Sequence, residues 1–453
     1  MMGNRGFDTI RGIELEDCEK NRALDYIRKA YRYSFRYLFP YIKKHLRELG
    51  TLRSDLAGLY DSCLNAIDTI ETVLNDRHFK ALVHEDPRHI FLLASSKKFP
   101  HVFDGYKGRS MNISPEWQHM ACSLLKIAHL IKSIEEDNQD VNDYAQLGLH
   151  LEMQGQGLDN LYNYDWENPG HLPDTVPAQR AFVKVATFFH KLKESVKFND
   201  SKNGLEFKSG DGVDVDIVNI KARLKSPESM FTKLGKNVEG EAHTIRDMLA
   251  ITFILRNIHD TLKLFHALQK RGVILQENTI SPSITQTLFK SPEEMNEAVR
   301  NLMISLSQSE GEVYAPDADT LTRNTEAFFM ALSINTQNNP HSALEHKKFQ
   351  CKINYSVPIQ RLTSNGEIII PGTPVYKKRK EIDKKTEQHT LALELRISDE
   401  KSWRESEQRG DSHHEAYKFR QLAAVMQRLF KNSFKLTKEN LTQLRQDQRQ
   451  LFS

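Results

Sequence analysis

From about Leu15 to Phe198 the apolar positions recur three and four residues apart, the period of helices that bury one stripe. Asn21 to Leu49 is the longest such stretch, dense in Arg, Lys and Tyr, and Pro40 is expected to interrupt it. Leu52 to Leu74 carries a second stripe. Asp86-Pro87-Arg88 opens a short helix through Ile90 to Ala94, and Asn112-Ile113-Ser114-Pro115-Glu116 starts one leading into Met120 to Ile134. Asp159 to Pro177 is rich in Asn, Asp, Gly and Pro, a loop and a domain boundary. Ala178 to Phe198 predicts a further helix, and Asn199 to Gly212 a polar loop.

Beyond that loop the period changes. Val215-Asp216-Ile217-Val218-Asn219-Ile220 alternates as a half-buried strand does, and Met248 to Leu255 is continuously apolar, as in a strand buried on both faces. Helices are expected over Thr261–Lys270, Pro292–Ser307 and Ala318–Ile334, and a strand over Phe349 to Tyr355. Ile368-Ile369-Ile370 is read as turning through Pro371-Gly372-Thr373-Pro374 and returning along Leu391 to Ile397 as a hairpin. Lys431 to Ser453 reads as a polar helix or frayed tail.

Composition narrows the classes. The chain has 453 residues, 39% hydrophobic and 27% charged, which is ordinary globular material of two to three domains. Lys and Arg number 63 against 60 Asp and Glu, so any nucleic-acid site must be local. Cys18, Cys63, Cys122 and Cys351 lack metal-ligand spacing and read as reduced thiols. No apolar run approaches the length of a membrane span and no secretion signal opens the chain, so the expectation is a cytoplasmic protein without a membrane partner. Tyr26, Arg28, Tyr31, Arg32, Tyr33, Arg36 and Tyr37 resemble an RNA clamp in composition, but the reading taken is a packed helix with snorkelling cations.

The candidate chemistry begins at the end of the first strand. Arg223 and Lys225 lead into a helix opened by Ser226-Pro227-Glu228, and Ser229 and Lys233 follow on it. Cations and a hydroxyl beside a helix N-terminus suit a phosphate chain. Asp247, at the mouth of the next strand, suits a phosphate-bound Mg²⁺.

The spacing R-x-K-x-x-x-S-x-x-x-K, followed by an Asp-led apolar strand, resembles the synthetase domain of the RelA/SpoT nucleotidyltransferases, the makers of (p)ppGpp in the stringent response. Leu393-Glu394-Leu395-Arg396-Ile397 is similar to the family's E-x-Q strand. Glu407, Gly410, His414, Tyr417 and Lys418 match its closing E-x-x-G-x-x-x-H-x-x-Y-K element, and Trp403 resembles a Trp of small single-domain members. The resemblance spans roughly the last three-fifths of the chain.

What the resemblance implies is an α+β protein in which a helical N-terminal domain (1–175) is followed by a mixed β-sheet nucleotidyltransferase domain flanked by helices (176–435) and a polar tail (436–453). The implied reaction moves pyrophosphate from ATP, with Mg²⁺, to a ribose hydroxyl of GDP, GTP or another nucleotide, or of tRNA as in toxin-like members. Arg223, Lys225, Ser229 and Lys233 then bind the triphosphate. Asp247 and Glu394 hold the metal, Glu394 also takes the acceptor proton, and His414, Tyr417 and Lys418 close the site. The basic segment Lys377 to Lys385 would contact tRNA. The family's hydrolase needs a His-Asp pair in a helical domain. The pair here, His259-Asp260, lies after a strand, where Asp260 reads as a helix cap, so no hydrolase is expected.

Three positions depart from the family pattern. Thr252 replaces an adenine-sandwiching Arg, with Arg256 on the same strand face, and Arg396 replaces the E-x-Q glutamine. No G-Y-x-S-x-H segment is present, the nearest stretch being Asn339 to His346. These departures motivate an alternative, a catalytically inactive nucleotide- or RNA-binding module on the same fold.

Overall fold

A computed structural model describes residues 9–10, 13–14, 17–52, 57–85, 87–95, 115–137, 139–165, 171–200, 204–236, 245, 247–275, 277–280, 285–289, 292–308, 348–371, 383–407, 414–430 and 434. The expected helix over 318–334, the stretch 339–346, the basic residues 377–380, Gly410 and the tail 436–453 lie outside the described residues. In chain order the elements are β1 (Thr9–Ile10), β2 (Ile13–Glu14), α1 (Asp17–Tyr33), α2 (Phe39–Leu52), α3 (Ala57–Leu74), α4 (Arg77–Glu85), α5 (Arg88–Ser95), α6 (Pro115–Lys132), α7 (Gln139–Met153), α8 (Leu158–Tyr162) and α9 (Val176–Ser195). They continue with β3 (Val196–Asn199), β4 (Gly204–Phe207), β5 (Val215–Leu224), α10 (Pro227–Lys236), β6 (Leu249–Leu255), α11 (Thr261–Lys270), β7 (Thr285–Gln286), α12 (Pro292–Gln308), β8 (Phe349–Leu362), β9 (Ile368–Ile369), β10 (Lys384–Asp399), α13 (Glu400–Glu407) and α14 (His414–Leu429).

The chain divides into two compact units that interleave in sequence. One comprises Met1–Asn138, Glu228–Thr244 and His413–Ser453, and the other Gln139–Pro227 and Ile245–Ser412.

The first unit is helical. Pro40 does not interrupt its long helix as expected. A π-helical turn over Ser34–Leu38 precedes it, with the Phe39 N–H bonded to the Ser34 carbonyl, and α2 runs on through Pro40. The widened turn absorbs the N–H that proline lacks, so the break becomes a local change of pitch. Tyr26 and Tyr31 are both buried. The Tyr26 hydroxyl donates to Glu136 at 2.6 Å and Glu135 at 2.9 Å, and that of Tyr31 to Asn75 at 3.2 Å, so neither ring is offered to a base. Late-chain segments complete this core. Phe430 stacks on Phe39 with centroids 5.9 Å apart. Ser123 and Lys126 donate to the last carbonyls of α14, those of Leu429 (2.7 Å) and Arg428 (3.0 Å).

The second unit is α+β. Its sheet runs β3-β4-β5-β6-β10-β8-β7, with β9 on β8. Only β6 and β10 pair in parallel among the described strands, so the sheet is mixed. Phe188 of α9 packs edge-on to Tyr355 of β8 at 5.0 Å, and Phe265 of α11 meets Phe349 at 5.6 Å. Both helices therefore lie on the face that carries Phe349, Cys351, Ile353 and Tyr355. Helices α7 and α9 are joined by a buried ion pair, Arg180 Nε and Nη2 donating to Asp143 at 2.8 and 2.7 Å.

Three local expectations change. The loop 199–212 contains β4, which pairs antiparallel with β3 at the end of the expected helix; both strands are four residues long, too short for alternation to register. Ile368 and Ile369 pair with β8, not with β10 as the expected hairpin required, because the chain turns earlier, at Thr363 to Gly366. Gly366 takes φ 70° there and donates to the Leu362 carbonyl at 2.9 Å. Asp260 makes no side-chain cap. Asn257 does, accepting from the His259 N–H at 3.0 Å, while Asp260 pairs with Lys263 at 3.0 Å. No described helix is long and apolar enough to cross a membrane.

Candidate functional site

Strand register decides which side chains share a face, because partners across a sheet point the same way. On the four central strands of the second unit, Arg223, Ala250, Glu394 and Lys352 form one row. Lys221, Thr252, Arg396 and Gln350 form the next. Between these rows lie Ala222, Ile251, Leu395 and Cys351, which point to the opposite face, the last three into the core. The sheet thus has one apolar face under α9 and α11 and one polar, cationic face.

Glu394 anchors that polar face. It is only 2% exposed, and Arg396 donates to it at 2.5 Å. Burial alone would raise its carboxyl, and Asp247 adds to that rise. Arg396, with Lys348 and Lys352, outweighs both and holds it below the ordinary carboxylate range. Asp247 lies just before β6, where its carboxylate is held by the ammonium of Lys225. The Lys225 N–H bonds to the Met248 carbonyl at 2.8 Å, which fixes the end of β5 against the start of β6. The two carboxylates are therefore close enough to repel, Asp247 being held by Lys225 and Glu394 by Arg396 with Lys348 and Lys352 in its field.

This donor set fits a magnesium ion that shares its coordination with a substrate. Mg²⁺ takes one or two carboxylates and completes its shell with phosphate oxygens and water. Among the described residues no group of three or more His, Cys, Asp or Glu side chains forms a cage of its own.

The remaining candidates belong to the first unit. Ser229 and Lys233 sit one turn apart on α10. Lys418 of α14, 7% exposed, donates to the Ser229 hydroxyl at 2.9 Å, and Tyr41 lies 3.3 Å from that hydroxyl. Arg428, also of α14, donates to the carbonyls of Leu234 and Gly235 at 3.1 and 3.0 Å and so closes the end of α10. His414 and Tyr417 lie on α14, but their side chains, and that of Glu407, fall outside the described residues. Arg256, considered as a stand-in for the missing arginine, is exposed and lies one residue beyond β6. Trp403 is half-buried on α13, with the Lys221 ammonium 6.0 Å from its ring. Of the basic segment, Lys384 and Lys385 are described; they reach Gln360 at 3.4 Å and Glu387 at 3.4 Å.

Sequence reasoning missed Lys348, Gln350 and Lys352. The signal was present, since Lys348 to Tyr355 alternates polar and apolar at every position, but which strand that polar edge faces depends on register. Lys348 is held by its backbone, its N–H bonding to Thr287 Oγ1 at 3.0 Å and its carbonyl accepting from the Thr287 N–H at 2.8 Å. Burial pushes its ammonium down to about 8, Arg396 adding to the fall and Glu394 opposing it. Amine-reactive labelling followed by peptide mapping should therefore show Lys348 half-reactive near pH 8, whereas exposed lysines titrate more than two units higher. Glu394→Gln removes the opposing charge and should move that midpoint lower still; an unchanged or higher midpoint would separate the two groups.

No known protein family, curated protein or solved structure matches the chain.

Proposed function

We propose that the chain is a magnesium-dependent pyrophosphotransferase that moves pyrophosphate from ATP to a ribose hydroxyl of a nucleotide. The observation that supports this reading best is the buried Glu394 on β10, within the field of Asp247 at the mouth of the parallel neighbour β6, with cations on both flanks. The RelA/SpoT resemblance in the same residues supports it independently of the geometry.

In this reading Asp247 and Glu394 hold the ion, which would neutralise phosphate charge as it shifts in the transition state. Arg223 forks onto the donor phosphates or stacks on the adenine, and Lys225, exchanging Asp247 for phosphate, acts as a point charge. Glu394 accepts the proton of the attacking hydroxyl. A bond forms from that oxygen to the β-phosphorus, the bond from the β-phosphorus to its bridge oxygen with the α-phosphate breaks, and AMP leaves.

One observation favours a second reading, a nucleotide-binding module without chemistry. Both carboxylates are already engaged, Asp247 by Lys225 and Glu394 by Arg396. Such pairs would preserve the face as a polyanion receptor without releasing a base. The readings separate in one assay, AMP release from ATP and Mg²⁺ with GDP, GTP, ADP or uncharged tRNA as acceptor. The enzyme predicts AMP with at least one acceptor and its loss in Asp247→Ala. Nucleotide binding with no AMP from any acceptor would leave the binding module.

A further inference from the structure

The β5 side of the polar face is ordered along its length. Lys221, Arg223 and Lys225 are alternate residues at the end of β5, so they share a face, with about 6.6 Å between neighbours and roughly 13 Å from first to last. Lys225 stands at the Asp247 end, holding that carboxylate. Lys221 stands at the other end, paired with Thr252 and in one row with Arg396. Beside it lies the Trp403 ring, its centroid 6.0 Å from the Lys221 ammonium, which stands over the indole. A separation of about 6 Å is the outer reach of cation–π attraction, so Lys221, an exposed side chain, can leave the ring for another partner at little cost. The ring itself is held. α13 starts where β10 ends, and Asp399 caps it, accepting from the Ser402 N–H at 2.9 Å and from its hydroxyl at 2.6 Å. On the other side of the ring's own residue, Arg404 pairs with Glu400. Trp403, between these two anchored neighbours, is half-buried. The face therefore runs from a candidate metal carboxylate, through three cations, to a fixed indole.

That order of groups is the order of parts in a nucleoside triphosphate: phosphates, ribose, base. Resting on the reading of this face as a pyrophosphotransfer site, we propose that Trp403 is the platform for the donor's base. The donor lies along β5 with its terminal phosphates at Asp247 and Lys225, its α-phosphate and ribose beside Arg223 and Lys221, and its adenine stacked on the indole. Arg223 thus forks onto phosphate and does not stack, and Lys221 exchanges the ring for phosphate. A stacked base gains from the area of ring it covers, and every base has a π-face. The platform consequently selects a purine donor over a pyrimidine one, and a nucleotide over bare polyphosphate, while ranking adenine and guanine close together.

Equilibrium dialysis of labelled ATP with Mg²⁺ against the full chain measures the base contact directly. Trp403→Leu is expected to weaken ATP binding about tenfold or more, the worth of one base–aromatic stack. Trp403→Phe, which keeps a ring, should recover most of that affinity, so a folding defect cannot imitate the result. Inorganic tripolyphosphate, competing for the same phosphate groups, should bind wild type and both variants alike. GTP should bind within about threefold of ATP, and CTP several-fold more weakly. Intrinsic fluorescence supplies a second readout: the chain has three tryptophans, and the quenching that ATP causes in wild type should be absent from Trp403→Phe. ATP binding that Trp403→Leu leaves unchanged, equal loss of ATP and tripolyphosphate, CTP binding as tight as that of ATP, or no rescue by phenylalanine would each overturn the proposal. AMP release separates this subsite from the reaction it serves. AMP formed with an unchanged KM for ATP in Trp403→Leu removes the platform and leaves pyrophosphotransfer standing; tryptophan-dependent ATP binding with no AMP from any acceptor does the reverse.

Discussion

Glu394→Gln is expected to reduce AMP release by at least about a thousandfold while leaving ATP binding intact, because it removes a base and a metal ligand together. Glutamine has nearly the same shape, and its amide oxygen can still accept from Arg396, so the sheet should hold. What disappears is one negative charge at a site that is 2% exposed. Arg396, Lys348 and Lys352 then face the nucleotide without their counter-charge, and affinity for the triphosphate should stay or rise. A receptor that only binds polyanions would gain from the same substitution. Hence the split, turnover lost and binding kept, separates a catalytic carboxylate from a merely structural one. Equal loss of both would indicate that Glu394 holds the fold and nothing more.

Asp143→Ala should produce the largest loss of stability, about 3–5 kcal/mol, because it strands the Arg180 guanidinium between α7 and α9. Asp143 is 1% exposed and accepts both guanidinium bonds. Burial raises its carboxyl even though Arg180 and Lys184 pull the other way, so keeping the pair ionised is itself costly. Two consequences follow in opposite directions. Removing one partner leaves a buried charge and should lower the melting temperature by roughly 6–20 °C for a unit of this size. Replacing both, as Asp143→Leu with Arg180→Met, should return most of that loss, since apolar side chains of similar volume need no compensation. Thermal unfolding followed by circular dichroism measures both variants. A double variant as unstable as the single one would mean that the pair is a net stabiliser. In addition, because the folded carboxyl is raised, this pair gives no stability that is lost as pH falls, and mild acid should not unfold the unit through it.

Much of the fold was legible because its central elements obey strong periodicities. The Pro-led helix start at 227 and the apolar run ending at Leu255 became elements close to their expected bounds, and the alternations from Val215 and Phe349 became strands that begin where expected and run on to Leu224 and Leu362. What escaped has local physical causes. Strands β3 and β4 are too short to carry a period. The Pro40 break was absorbed by a π turn, and the partner of β9 was set by a four-residue turn with Gly366 in the left-handed region. The interleaving of the units escaped too. Phe430 and Lys418 complete a helical core begun some 380 residues earlier in the chain, and no local pattern reports a contact of that range.

The candidate site divides along the same line. Arg223, Lys225 and Asp247 were found from spacing and Glu394 through the resemblance of its strand to the E-x-Q motif, and the register gathers them on or beside neighbouring strands. Ser229, Tyr41 and Lys418 form a polar cluster of the helical unit, with a buried lysine on a serine hydroxyl, and Lys233 lies one turn further along the same helix. Lys348 and Lys352 entered only through register, since a polar residue on an alternating strand is ordinarily a solvated one until its opposite number is known to be a buried carboxylate.

The most direct test of the central claim is AMP production from ATP by the full chain, with a nucleoside diphosphate as acceptor, measured with Mg²⁺ and with EDTA and repeated with Glu394→Gln. Pyrophosphotransfer at this site predicts AMP and a pyrophosphorylated acceptor in equal amounts, dependent on the metal and absent from the variant. Binding of ATP without AMP in the wild-type protein, or AMP formation that survives in Glu394→Gln, would contradict it.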